Sequence, residues 1–161
     1  MILSPKLFID TCVAKPLSNR ILNHYKSVYP SIQITHLTDF YRQSRSDSVW
    51  LPNLADEGGW IAVSADLGRD KKKPSLPQLC RDYGVTSVLM TDTLHKKGVN
   101  MHQEVLHEIL RNIEPIYKAP AGTVISIGQT QEKGGIVKFA LRINRPGKPQ
   151  ISLATLLENP S

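Results

Sequence analysis

Cysteine is scarce in this sequence: Cys12 and Cys80 are the only two in 161 residues. Two cannot build a disulfide framework, and no CxxC pair offers a zinc site. A reducing cytoplasm is the compartment this suggests. Long hydrophobic runs are missing as well. No apolar stretch approaches the ~20 residues that a membrane helix needs. The start, Met1-Ile2-Leu3-Ser4-Pro5-Lys6, lacks the basic and apolar regions of a signal peptide. There is no GxGxxG, no P-loop, and no elbow of glycines around Ser64. Repeats and low-complexity stretches are absent too. Together these absences argue against a membrane-spanning, secreted, collagen-like or disordered chain, and against dinucleotide binding or serine-nucleophile catalysis.

What remains is ordinary globular material, with 40% hydrophobic and 21% charged residues. The length suits one domain with a short extension. Lys plus Arg is 20 and Asp plus Glu is 14, a net charge of +6. The excess is spread evenly between the two halves. A mildly basic surface suits a polyanionic partner, although many soluble proteins are basic without one.

Lys6-Leu7-Phe8-Ile9-Asp10 reads as a buried strand with Asp10 at its carboxyl end. Leu17, Ile21, Leu22, Tyr25 and Val28 recur at helical spacing behind Pro16, so a helix is expected over 16–28, stopped by Pro30. Residues 32–37 alternate as a strand, and 38–48 are a polar loop. Pro52 predicts a turn at 47–51 and a helix only over 52–57, closed by Gly58-Gly59. Strands follow at 60–64 and 85–90, with a charged loop at 68–74 and a helix over 76–83 between them. A strong apolar stripe marks a helix over 100–114. This alternation predicts an α/β domain over 1–114, with a mainly parallel sheet. After Pro115, 123–129 and 136–143 are strand-like. Gly134-Gly135 can turn between them, giving a C-terminal β-hairpin and tail over 115–161.

In an open parallel sheet, ligands bind beyond the carboxyl ends of the strands. Asp10 and Asp66 fall at such ends, Asp47 sits at a helix start on the same rim, and Asp39 and Asp70 lie close in sequence. Carboxylates gathered at one rim repel one another, and a hard divalent cation such as Mg2+ or Mn2+ removes the conflict. Such an ion can acidify a water for attack on phosphate. The plainer alternative is that Asp47 is a helix cap and the other acids merely solvate loop ends. The histidines are isolated, and His102 and His107, five apart, are expected at the surface. Trp50 and Trp60 are expected in the core.

Three segments together resemble the PIN-like nuclease domains, the group that includes toxin ribonucleases of bacterial toxin–antitoxin pairs. They are Leu7-Phe8-Ile9-Asp10, then Asp47-Ser48-Val49-Trp50-Leu51-Pro52-Asn53-Leu54, then Gly59-Trp60-Ile61-Ala62-Val63-Ser64-Ala65-Asp66. Their order and spacing agree over residues 6–114. The resemblance implies a PIN-like three-layer sandwich, with Asp10, Asp47 and Asp66 as metal-binding catalytic acids and Asp70 as a fourth acid at the rim. The family's glutamate between the first acid and the helix acid is missing, because no glutamate precedes Glu57; Asp39 is the nearest substitute. Lys15, Arg42, Arg45, Lys71, Lys72 and Lys73 lie close in sequence to these acids and could contact phosphates. A solvated charged loop is the simpler account of the lysine run.

The expectation is a metal-dependent endoribonuclease cleaving RNA, the toxin of a toxin–antitoxin pair with a cognate antitoxin as partner, with room for a homodimer and no membrane. The competing reading is a non-catalytic nucleic-acid-binding or assembly module that kept the fold. A phosphatase or DNase on the same fold is a third.

Overall fold

The computed structural model describes residues 3–39, 47–65, 75–130 and 134–158, apart from the side chains of Asp47 and Ser48. The chain begins with β1 (Lys6–Ile9), α1 (Lys15–Tyr25), β2 (Gln33–His36) and a 3-10 turn (Leu37–Asp39). It continues through α2 (Asp47–Glu57), β3 (Ile61–Ser64), α3 (Leu76–Tyr83) and β4 (Thr86–Met90). Next come α4 (Asp92–His95), α5 (Val99–Arg111) and α6 (Ile113–Lys118). Last are β5 (Val124–Gln129), β6 (Phe139–Ile143), β7 (Ile151–Ser152) and α7 (Leu153–Glu158).

The seven strands of the described residues join one sheet, in the order β2-β1-β3-β4-β5-β6-β7. The first five are parallel, and β6 and β7 are antiparallel. Alternation along the strands sorts the apolar residues onto two faces. Leu7, Ile9, Ile61, Val63, Val88 and Met90 pack with residues of α1, α5 and α6. Phe8, Ala62, Leu89 and Val124 pack with residues of α2 and α3. The result is the expected α/β sandwich of three layers.

Several elements depart from expectation. Helix α2 starts at Asp47 and runs through Pro52. The proline removes one backbone bond, at about 3 kcal/mol. Trp50, Leu51 and Leu54, at 2%, 0% and 5% exposure, offset this by burial worth about 1.5–3 kcal/mol each. Gly58 and Gly59, both at positive φ, then end the helix as expected. Helix α1 stops at Tyr25, three residues early, and leaves Val28 exposed. The 100–114 stripe divides into α5 and α6, and α6 contains Pro115. That proline lies in the first turn, where its missing N–H leaves no bond unmade. The C-terminal hairpin forms as expected, β5 antiparallel to β6, and β5 also pairs parallel with β4, which continues the sheet.

Candidate active site

The chain order of the strands selects one place on the sheet. From β1 the chain crosses to β2 on one side, and β3 then returns to the other side of β1. α1 belongs to one apolar layer and α2 to the opposite one. The order therefore reverses between β1 and β3. In doubly wound sheets the ligand crevice opens at that switch point, outside the carboxyl ends of the two strands.

Asp10 stands there. Its backbone N–H donates to the Val63 carbonyl at 3.0 Å, which fixes the end of β1 against β3. Its carboxylate is held from two sides. The Ser64 hydroxyl donates to Oδ2 at 2.8 Å, and the Thr11 backbone N–H donates to Oδ1 at 2.7 Å. Oδ1 also takes a longer contact from the Thr11 hydroxyl at 3.4 Å. Each carboxylate oxygen has about two lone-pair sites, so Oδ2 keeps capacity for a further partner. Ser64 is 1% exposed, at the last position of β3, two residues before Asp66. A residue discounted as a nucleophile thus orients the first acid. The signal was in the motif Ser64-Ala65-Asp66, whose first position faces the β1 end.

Cys12 completes the described part of the site. Its Sγ lies 3.9 Å from Ser64 Oγ. Burial, and next the charge of Asp10, push its thiol up to about 11. That favours the protonated thiol at neutral pH, a poor nucleophile. The described groups that touch Asp10 present oxygen and backbone N–H.

Lys15 and Asp39 meet at 2.5 Å near the mouth of the β1–α1 loop. The other Asp39 oxygen accepts from the His36 backbone N–H at 2.9 Å. Burial acts to raise the Asp39 carboxyl, but the Lys15 and His36 hydrogen bonds outweigh it and lower the pKa. Both oxygens of the nearest substitute for the missing glutamate are thus already engaged. His36, 3% exposed, ties the same loop down. Its Nε2 donates to the Val13 carbonyl at 2.7 Å, so Nδ1 accepts from the Thr38 hydroxyl at 2.7 Å. A carbonyl can only accept, and that fixes the tautomer.

The remaining acids are placed only in part. Asp47 opens α2, on the apolar layer that also carries Ser64, but its side chain is outside the described residues. Asp66, Asp70, Arg42, Arg45, Lys71, Lys72 and Lys73 also lie outside the described residues. Among the described residues, no three His, Cys, Asp or Glu side chains are grouped to hold a metal. One further acid was missed from sequence: Asp92 follows the carboxyl end of β4 and opens α4 behind the Thr91 cap. The plain sequence signal was an acid two positions past a strand.

The family model described as a PIN like domain matches residues 5–92. The chain belongs to the PIN-like family. The match takes in β1 through the start of α4, with Asp10, Asp47 and Asp66 inside it, and leaves the β5–β6 hairpin outside. This PIN-like domain therefore has a nuclease-type fold. No curated protein and no solved structure matches the chain significantly.

Elsewhere the PIN-like chain corrects two histidine expectations. His102 is buried at 6% exposure; it stacks on His95 and donates from Nε2 to the His95 carbonyl at 2.8 Å. His107 is half-buried, with Nδ1 against the Tyr25 hydroxyl at 2.8 Å. Trp50 and Trp60 are in the core as expected, around Phe8. No helix among the described residues is long and apolar enough to cross a membrane.

Proposed function

We propose that this PIN-like protein is a Mg2+- or Mn2+-dependent endoribonuclease. The observation that supports it most is the held Asp10 carboxylate at the switch point between β1 and β3. The proposed donors are carboxylate oxygens, and that chemistry fits a hard divalent cation. Asp10, Asp47 and Asp66 would hold the ion, with Asp70 near them in sequence. Bound there, it supplies positive charge against a phosphodiester and lowers the pKa of a water.

The chain's own residues do the positioning. Ser64 and Thr11 fix the rotamer of Asp10 before any ligand arrives, so no orientation entropy is spent at binding. His36 and the Lys15–Asp39 pair hold the ends of the β1–α1 loop. Arg42, Arg45 and Lys71 to Lys73, in the loops after β2 and β3, would neutralise RNA phosphates; Lys15 would do so only by exchanging its Asp39 partner.

The toxin role, with a cognate antitoxin covering the acidic rim, follows from the family resemblance and is proposed on that ground. The test is cleavage of a fluorescent RNA oligomer by the full chain. Activity should require Mn2+ or Mg2+, vanish with chelator, and fall at least 100-fold in Asp10→Asn and Asp66→Asn. Full activity in Asp66→Asn defeats the assignment. An intact chain that binds RNA with salt dependence but never cleaves it favours the non-catalytic reading.

A further inference from the structure

At the edge of the family match, the hairpin and Thr91 frame a pocket of about 240 Å3. Its walls include Thr91, Ser126, Gly128, Gln129, Arg142 and Gln150. Among the described residues, no carboxylate lines it. Arg142 is exposed, and among the described residues it has no hydrogen bond or ion pair. A second cation stands beside the pocket: Lys97 Nζ donates to the Gln129 side-chain carbonyl. The floor is cut back to backbone at Gly128, where a Cβ would sit 3.3 Å from Thr91 Cγ2.

The sheet register ties this pocket to the candidate active site. Ser64 pairs with Leu89, Leu89 with Ser126, and Ser126 with Arg142. Side chains at paired positions share a face, so Arg142 and Ser126 point to the same side of the sheet as Ser64. Nearer β4 that face is apolar, with Leu89 and Val124 buried under α2 and α3. Past Val124 it turns polar, at Ser126, Gly128 and Arg142. Three strand spacings separate Ser64 from Arg142, about 14 Å. Thr91, at the carboxyl end of β4, brings the pocket up to the rim where Asp10 sits. A concave site with two cations, hydroxyl and amide donors and no acid is complementary to a phosphodiester.

We propose that this pocket is a phosphate subsite for single-stranded RNA, holding the chain where it runs past the acidic rim. The proposal rests on the nuclease reading for the direction in which the RNA lies, but its ligand chemistry can be tested apart from cleavage. Arg142 supplies the guanidinium fork, Ser126 a hydroxyl donor, and Lys97 a second positive charge.

The experiment measures binding of a fluorescein-labelled 12-mer oligouridylate to the full chain by anisotropy, in EDTA, across a range of KCl concentrations. Arg142→Gln should weaken binding about threefold to tenfold and make the log Kd against log salt slope shallower by about 0.7, the loss of one phosphate contact. Lys97→Gln should act in the same direction. Arg142→Lys, which keeps a charge, should restore most of the slope. Arg142→Gln that binds with the parent Kd and slope overturns the subsite, as does a parent chain that does not bind the oligomer. If the chain cleaves no RNA in Mn2+ and yet Arg142→Gln weakens binding, the subsite stands and the nuclease reading falls. If cleavage is robust and Arg142→Gln leaves binding untouched, the subsite alone falls.

Discussion

Ser64→Ala is the sharpest test of how the site works, because it leaves every proposed ligand in place. The hydroxyl donates to Asp10 Oδ2 at 2.8 Å from a position 1% exposed to solvent. A hydrogen bond to a carboxylate is worth about 1.5–3 kcal/mol, more than a neutral one. Removing it leaves Asp10 held through Oδ1 alone, by the Thr11 N–H at 2.7 Å and the Thr11 hydroxyl at 3.4 Å. Contacts on one oxygen fix a point but not a plane, so the carboxylate can rotate about it. If all of the lost energy had gone into orienting Asp10 for the reaction, kcat/KM falls by about 10-fold to 100-fold, at 1.36 kcal/mol per decade. Global stability should fall by no more than the same ~1.5–3 kcal/mol, a shift of roughly 3–12 °C in Tm for a chain of this size, which leaves the chain folded at the assay temperature. The assay pairs initial rates on an RNA oligomer across a Mn2+ titration with thermal melts by circular dichroism. The expected pattern is a raised half-saturating Mn2+ concentration, a fallen rate and a melt that is lowered but still cooperative. Wild-type rates and metal dependence in Ser64→Ala would refute the view that Ser64 positions Asp10, even if Asp10→Asn is inactive.

Three further outcomes follow from groups around the site and behind it. His36→Leu removes the donor to the Val13 carbonyl inside the core, at about 1–3 kcal/mol, so Tm should drop by roughly 2–12 °C in thermal melts; an unchanged melt means the loop is held by other contacts. The Asp39 carboxyl lies below its ordinary value, so the stability it lends is present above that value and is lost as pH falls through the lowered one; Lys15→Gln should raise the pKa seen by NMR and cost under about 1 kcal/mol at pH 7, since the pair is largely exposed. Burial, and next the charge of His24, lower the pKa of His107, so the unfolded chain binds more protons and stability should be full above about pH 6.5 and decline below it; replacing His107 by Gln should flatten that slope in pH-dependent melts.

The sequence by itself determined the alternation of strands and helices, the turn at Gly134-Gly135, and the place of Asp10 at the end of β1. Each of these is a local signal. A period of two or of 3.6 exposes one apolar face, a glycine permits positive φ, and an aspartate follows a strand. Local rules misjudged Pro52 and Pro115, because proline's cost is local while its compensation is not. Burial of Trp50 and Leu51 against Phe8 and its neighbours decided the first, and position within the first turn of α6 decided the second. Only the tertiary structure could set β1 between β2 and β3, put β5 beside β4, and so create a switch point and a continuous sheet out to Arg142. The same holds for the contacts that shape the site. Ser64 reaches Asp10 across 54 positions of sequence and His36 reaches Val13 across 23. Such meetings depend on which strands pair and in what register. That choice follows from the burial of whole faces, and no single residue's pattern announces it.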